Sequence, residues 1–143
     1  KEVHVRHGLV GSKEAALEAE FFLHPTSLGS SQFAYQDSES GQAPDWQRIL
    51  VPTLKVGDVW EELFGSDLRC ACLKIDIEGS EMNFLRQESL FLTRVDTILL
   101  EWHIWGTTRR EVTDFLASHG FHVAQVIEDT LRHGVLFFRR RES

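Results

Sequence analysis

The sequence predicts a single α/β domain over residues 1–143, built on a mostly parallel sheet whose last strand is antiparallel. Three observations predict it. From Val51 onward, strand-like runs alternate with helix-like runs, the order of a sheet with helical crossovers. Two of the strand runs, "RCACLKIDI" and "VDTILLEWHIW", are almost continuously apolar, as strands buried on both faces are. The chain closes on two further strand runs, "FHVAQVIED" and "GVLFFRR", separated only by "TLRH", a hairpin connection.

Each element has its own local signal. In "EVHVRHGLVG", Val3 and Val5 alternate with His4 and Arg6, a period of two that predicts a strand ended by Gly8 and Gly11. "SKEAALEAEFFLHP" carries two signals. Lys13 to Glu20 has helix-forming composition with Ser12 as N-cap, whereas "AEFFL" is strand-like and is stopped by Pro25. Thr26 to Asp45 is rich in Ser, Gly and Gln without periodicity and predicts a long loop, of a length that often carries function. "RILVPTL" is a short strand, and "GDVWEELFG" a short helix with Asp58 in its first turn and Gly65 just beyond it. After "RCACLKIDI", Gly79 and Ser80 turn the chain into the helix "EMNFLRQESLF", with Ser80 as its N-cap. "VDTILLEWHIW" leads to "TRRE", a capping box from Thr108 to Glu111, which opens the helix "EVTDFLASH"; Gly120 ends it.

Composition narrows the function. A chain of 143 residues with 42% hydrophobic residues builds a core without covalent staples. The net charge of −7 excludes a general nucleic-acid binder, which needs cations to displace counterions. The one basic run, Arg139 to Arg141, reads as a solvated tail. Cys70 and Cys72, two apart in a strand, point the same way and read as reduced core residues, which places the protein in the cytoplasm. No apolar run has the length of a membrane span, and no signal peptide is visible. The chain starts inside a strand-like segment without Met and reads as a fragment.

The candidate chemistry lies where the two apolar strands end. In open α/β sheets, ligands bind beyond the carboxyl ends of the strands. The first strand ends in Asp76, Glu78 and Glu81; the second ends in Glu101, Trp102, His103 and Trp105. If the strands are neighbours, these groups share one rim. A carboxylate or His103 can then act as general base toward a hydroxyl, or Asp76 and Glu101 can hydrogen-bond a hydroxylated or cationic ligand walled by tryptophans. The same groups can hold a divalent metal; this is the weakest of the three readings, and no metal site is assigned. Bland readings stand beside these. Glu81 suits the first turn of a helix, Glu78 can be solvated, and His103 can be a satisfied polar residue. Asp76 interrupts a strand read as buried, and Lys74 on the same face is its available partner.

The stretch "LKIDIEGSEMNFL", supported by "AEFFLHPTSLGSSQ", "VPTLKVGDVWEEL" and "VDTILLEWH" in the same order, resembles the FkbM-type S-adenosylmethionine-dependent methyltransferases over Lys1 to about Gly120. The resemblance implies a strand at "AEFFL", which decides that ambiguity. It implies a partial Rossmann-like methyltransferase sheet with helices on both faces. It further implies methyl transfer from S-adenosylmethionine to a hydroxyl on a sugar, lipid or natural product. Carried over residue by residue, Asp76, Glu78, Gly79 and Glu81 would line the donor pocket, and Asp76, Glu101 and His103 would be the catalytic groups.

One part of the family pattern is missing. The family binds its donor on a glycine-rich turn, where the backbone approaches the ligand closely. No two of the ten glycines here are spaced G-x-G. By position, the family's first two strands would precede Lys1. Their loss bares an apolar edge on the "LKIDI" strand, which the chain's own "VHVRHGLVG" segment or a second copy must cover, and the expectation is self-association into a homodimer. It also predicts that this chain is inactive on its own. The alternative function is a non-catalytic module, self-associating or binding a small molecule, derived from the same fold.

Overall fold

The computed structural model describes residues 2–11, 17–23 and 45–142. The Ser12 cap, Lys13 to Ala16, Pro25 and all but the last residue of the loop predicted from Thr26 to Asp45 lie outside the described residues. Strands β1 (Glu18–Leu23) and β2 (Gln47–Pro52) pair antiparallel as a separate two-stranded sheet. Glu18 to Glu20 therefore lie in a strand, although their composition favours a helix. Cross-strand pairing overrides that weak propensity: Ala19 sits opposite Val51, and both are buried.

The N-terminal strand expected at residues 3–8 is not formed. Val3 and Val5 are 82% and 79% exposed, and a single parallel bridge joins Leu9 to Thr53. Alternation makes a strand only where one face finds something to cover it, and these valines face water.

Helix α1 (Val56–Phe64) follows, then β3 (Cys70–Ile75). Next come helices α2 (Glu81–Gln87) and α3 (Ser89–Leu92), and then β4 (Val95–His103). Helix α4 (Arg109–Ser118), β5 (Phe121–Asp129) and β6 (His133–Arg140) complete the domain. The main sheet has the order β3-β4-β6-β5. β3 and β4 are parallel, but β6 is antiparallel to both β4 and β5. The expectation of a mostly parallel sheet is thus wrong: one pair of three is parallel. The reason lies in the connections. Among strands that neighbour each other in the sheet, only β3 and β4 are joined by a helical crossover, which requires parallel strands; α4 joins β4 to β5, which are separated by β6. The β5–β6 hairpin is tied by Thr130, whose N–H donates to the His133 carbonyl and whose Oγ1 accepts from the Arg132 and His133 amides. That hairpin swings β6 back between β5 and β4.

The apolar runs have different causes in the two strands. β4 is internal, and its Val95, Ile98, Leu100 and Trp102 are buried in the core with Leu85, Val112, Leu116, Phe121 and Leu136. Each fully buried aliphatic side chain contributes about 1.5–3 kcal/mol. Among the described residues, β3 lies at the sheet edge. Cys70 is buried there, but Ala71 and Cys72 are exposed, so β3 is not covered on both faces and Cys72 is not a core residue. Arg140 is also not tail-like. It belongs to β6, its guanidinium stacks 4.4 Å from the Phe121 ring, and its Nε donates to the Val95 carbonyl.

The helix predicted as one unit is split at Glu88. That residue is buried, and its carboxylate accepts the Val56 and Gly57 amides at 2.7 and 2.9 Å. It caps α1, whose own N-cap Lys55 makes no side-chain bond. Trp60 then packs 5.7 Å from Phe91, docking α1 on α3. Ser80 occupies the N-cap position of α2 without a side-chain cap bond, whereas Thr108 and Glu111 form the expected capping box.

Candidate functional site

Two turns build the site, one after β3 and one after β4. Because these strands are adjacent and parallel, both turns lie at the same end of the sheet. In the first turn, Glu78 (φ 50) and Gly79 (φ 92) both adopt left-handed backbone. Gly79 is required twice over: by that φ, and because a Cβ there would lie 2.6 Å from Trp105 Cδ1. A Cβ on Gly106 would lie 1.8 Å from the Gly79 carbonyl oxygen. The two turns are therefore in backbone contact, which brings the acids of one against the histidine of the other.

His103, the last residue of β4, is 4% exposed. Its Nδ1 lies 2.8 Å from Glu81 Oε1, which also accepts the Gly79 N–H at 2.9 Å. Glu81 is 0% exposed, and among the described residues its second oxygen has no hydrogen-bond partner. Glu81 thus does more than favour a helix dipole: it fixes the imidazole. With Nδ1 held as donor to the carboxylate, Nε2 is directed outward. Glu78 Oε2 and Glu101 Oε1 each lie 3.7 Å from it, and the Trp105 ring is centred 4.8 Å from the imidazole.

Asp76 lies just beyond the end of β3 and is exposed, so it is not the buried carboxylate the sequence suggested. Its partner is the expected one: Lys74 Nζ donates to Oδ2 at 2.8 Å. The electrostatics follow from this crowding. Burial pushes the Glu78 carboxyl above the ordinary carboxylate range, partly opposed by His103 and reinforced by Asp76, Glu101 and Glu81. Burial alone would lower the pKa of His103. The Glu81 hydrogen bond and charge, with Glu78 and Glu101, more than offset this and raise it above the usual imidazole value.

Clefts flank the acidic turn. One, of about 250 Å³, has Leu9, Val10 and Phe21 on one wall and Asp76, Ile77 and Glu78 on the other. A second, of about 190 Å³, is lined by Asn83, Arg86, Trp105 and Glu111. The walls made by Leu9, Val10 and Phe21 escaped the sequence reading, because nothing local ties residues so distant in the chain to the rim.

The family model described as the methyltransferase FkbM domain matches residues 10–123. The chain belongs to the FkbM methyltransferase family. The match spans both turns of the site and every rim residue from Asp76 to Trp105. FkbM methyltransferases generally use S-adenosylmethionine, so the FkbM assignment gives this chain a methyltransferase-like character. Among curated proteins and among solved structures, none matches the chain. Among the described residues, no helix is long and apolar enough to cross a membrane.

Proposed function

We propose that this chain carries the proton-accepting side of an FkbM-type O-methyltransferase site that acts on a hydroxyl of a sugar, lipid or natural product. The observation that carries the reading is the Glu81–His103 pair: a buried carboxylate aims an imidazole Nε2 at a rim of further carboxylates. The β3–β4 crossover is read as part of a Rossmann-like methyltransferase sheet.

When bound, S-adenosylmethionine supplies a methyl group activated by a sulfonium. The residues at the mouth of the 250 Å³ cleft fit such a group. Asp76 and Glu78 are anionic partners for a cationic donor, and Leu9, Val10 and Phe21 offer apolar wall. Gly79 allows the turn to lie close to its neighbours, while Glu81 is too buried to touch a donor and serves His103. An acceptor hydroxyl on the rim would lose its proton to His103 Nε2 or to Glu101, a contribution of about 10²–10⁴ to rate. Asp76, paired with Lys74, positions rather than deprotonates.

Titration calorimetry with S-adenosylmethionine and its demethylated product tests this directly. Micromolar binding, followed by methylation of hydroxylated acceptors, is the expected outcome for a completed site. A folded chain that binds neither compound sinks the donor half of the reading and leaves the alternative, a non-catalytic module.

That alternative has one observation in its favour: among the described residues, β3 has only β4 beside it in the sheet. We propose that a second copy covers this edge in a homodimer, in a cytoplasmic setting that suits two free cysteines. Light scattering coupled to gel filtration should give twice the chain mass at micromolar concentration. A monomer there refutes the dimer.

A further inference from the structure

Asp76, Glu78 and His103 each place one ligand atom within 4.8 Å of the others. Acids gathered at a strand end are commonplace, and alone they carry nothing. The second observation is His103 itself. It is nine-tenths buried, its Nδ1 is locked by a fully buried carboxylate, and among the described residues its Nε2 makes no hydrogen bond, with the Glu78 and Glu101 oxygens at ion-pair distance, 3.7 Å away. An imidazole whose far nitrogen is tied to a buried carboxylate, with the near nitrogen pointing among carboxylates, is how proteins orient a metal-binding histidine.

We propose that His103 Nε2, Glu78 and Asp76 bind a divalent cation of the Mn²⁺ type, held by one imidazole and two carboxylates.

The geometry and charge agree with this. Around a six-coordinate cation with ligands at about 2.1 Å, adjacent ligand atoms are about 3.0 Å apart and opposite ones about 4.2 Å. The His103 Nε2–Glu78 Oε2 separation of 3.7 Å falls inside that range, all three ligand atoms lie within 4.8 Å of one another, and exposed Asp76 and half-buried Glu78 can close the remaining gap. Asp76, Glu78, Glu81 and Glu101 are four carboxylates gathered around one imidazole and one exposed ammonium, Lys74. Carboxylates with an imidazole suit Mn²⁺ and its neighbours, and leave positions open for a ligand oxygen. Lys74 competes for Asp76, but an exposed ion pair is easily exchanged.

The site also divides the labour on the rim. With Nε2 engaged by a cation, His103 no longer accepts a proton, and Glu101 is left to take it from an acceptor hydroxyl. The O–H bond breaks toward Glu101 as the oxygen–methyl bond forms and the methyl–sulfur bond breaks. This role rests on the methyl-transfer reading; the cation site does not.

The test uses the full chain, stripped with a chelator and titrated with Mn²⁺ alone. Electron paramagnetic resonance counts the free ion, and NMR follows the His103 imidazole. The expected result is one Mn²⁺ per chain with broadening of the His103 signals. Asp76→Asn and Glu78→Gln, both outside the core, should each weaken binding by about 10-fold or more, and Glu81→Gln by about 10–100-fold through loss of orientation. Lys74→Met should tighten it by about 2–5-fold as the competing ammonium is removed. Urea unfolding in chelator shows whether each variant keeps its fold. No saturable binding, equal affinity in both carboxylate variants, or binding that leaves His103 sharp overturns the proposal. Because Asp76 and Glu78 also face the cleft read as the donor site, S-adenosylmethionine binding is measured separately without metal, so that failure of one site is told apart from failure of the other.

Discussion

Replacing Glu81 by Gln tests the pair at the heart of the site. The wild-type carboxylate accepts two hydrogen bonds, from the Gly79 amide at 2.9 Å and from His103 Nδ1 at 2.8 Å, with no exposure to solvent. Hydrogen bonds to a charged group contribute about 1.5–3 kcal/mol each, against about 0.5–1.5 for neutral ones, so neutralising the acceptor costs about 1 kcal/mol per bond. The second oxygen already lacks a partner among the described residues, so an amide nitrogen there exchanges one unsatisfied group for another. The total is about 2 kcal/mol, or roughly 6–8 °C in Tm for a chain of this size. The loss also depends on pH, with a definite sign. The folded pKa of His103 is raised, so its protonation contributes stability that is fully present below the unfolded value of about 6.5 and lost as pH rises through the folded pKa. Removing the Glu81 charge lowers the His103 midpoint and flattens this dependence. Urea unfolding in chelator should therefore show a larger penalty for Glu81→Gln at pH 5.5 than at pH 8.5. NMR titration should show the His103 midpoint moving down. An equal penalty at both pH values, or an unmoved midpoint, would refute the account of the pair.

Gly79→Ala forces a side chain into left-handed backbone and against Trp105, at a cost of about 2–4 kcal/mol; urea unfolding measures it, and a loss below 1 kcal/mol would mean the turns are not in tight contact. Thr108→Ala removes the cap of α4 and should destabilise by about 1 kcal/mol. The backbone and side-chain bonds from Thr108 hold the Glu111 carboxyl below its ordinary range, so the stability it contributes is present above that range and fades as pH falls through the folded pKa. Acid unfolding of Glu111→Gln should lack that component, and an unchanged acid limb would refute it.

What the sequence disclosed was mostly local. The Thr108–Glu111 box, the Gly120 stop and the hairpin around Thr130 were legible because each is set by residues within a few positions. The rim from Asp76 to His103 was legible because parallel neighbours end together. The Glu88 cap was not, because its partners lie across 32 residues. Nor was the place of β6, because an apolar strand reads the same whether its neighbours run parallel or antiparallel. Val3 and Val5 misled for the opposite reason: a correct local period found no surface to rest on. Glu81 hid behind a plausible helix-end role until burial revealed its contact with His103.

The strand order has a consequence for how the domain comes together. β6 is wedged between β4 and β5, so a nascent chain halted before residue 133 presents β4 with one open side and β5 with no neighbour in the sheet. Closing that gap joins His133–Arg140 to a strand that starts at Val95, a long loop to shut before any pairing rewards it, which slows assembly. The matched family region stops at residue 123, but the hydrogen bonding of its sheet does not. A truncation drawn at the edge of that match would leave the site's own strand, β4, half unzipped.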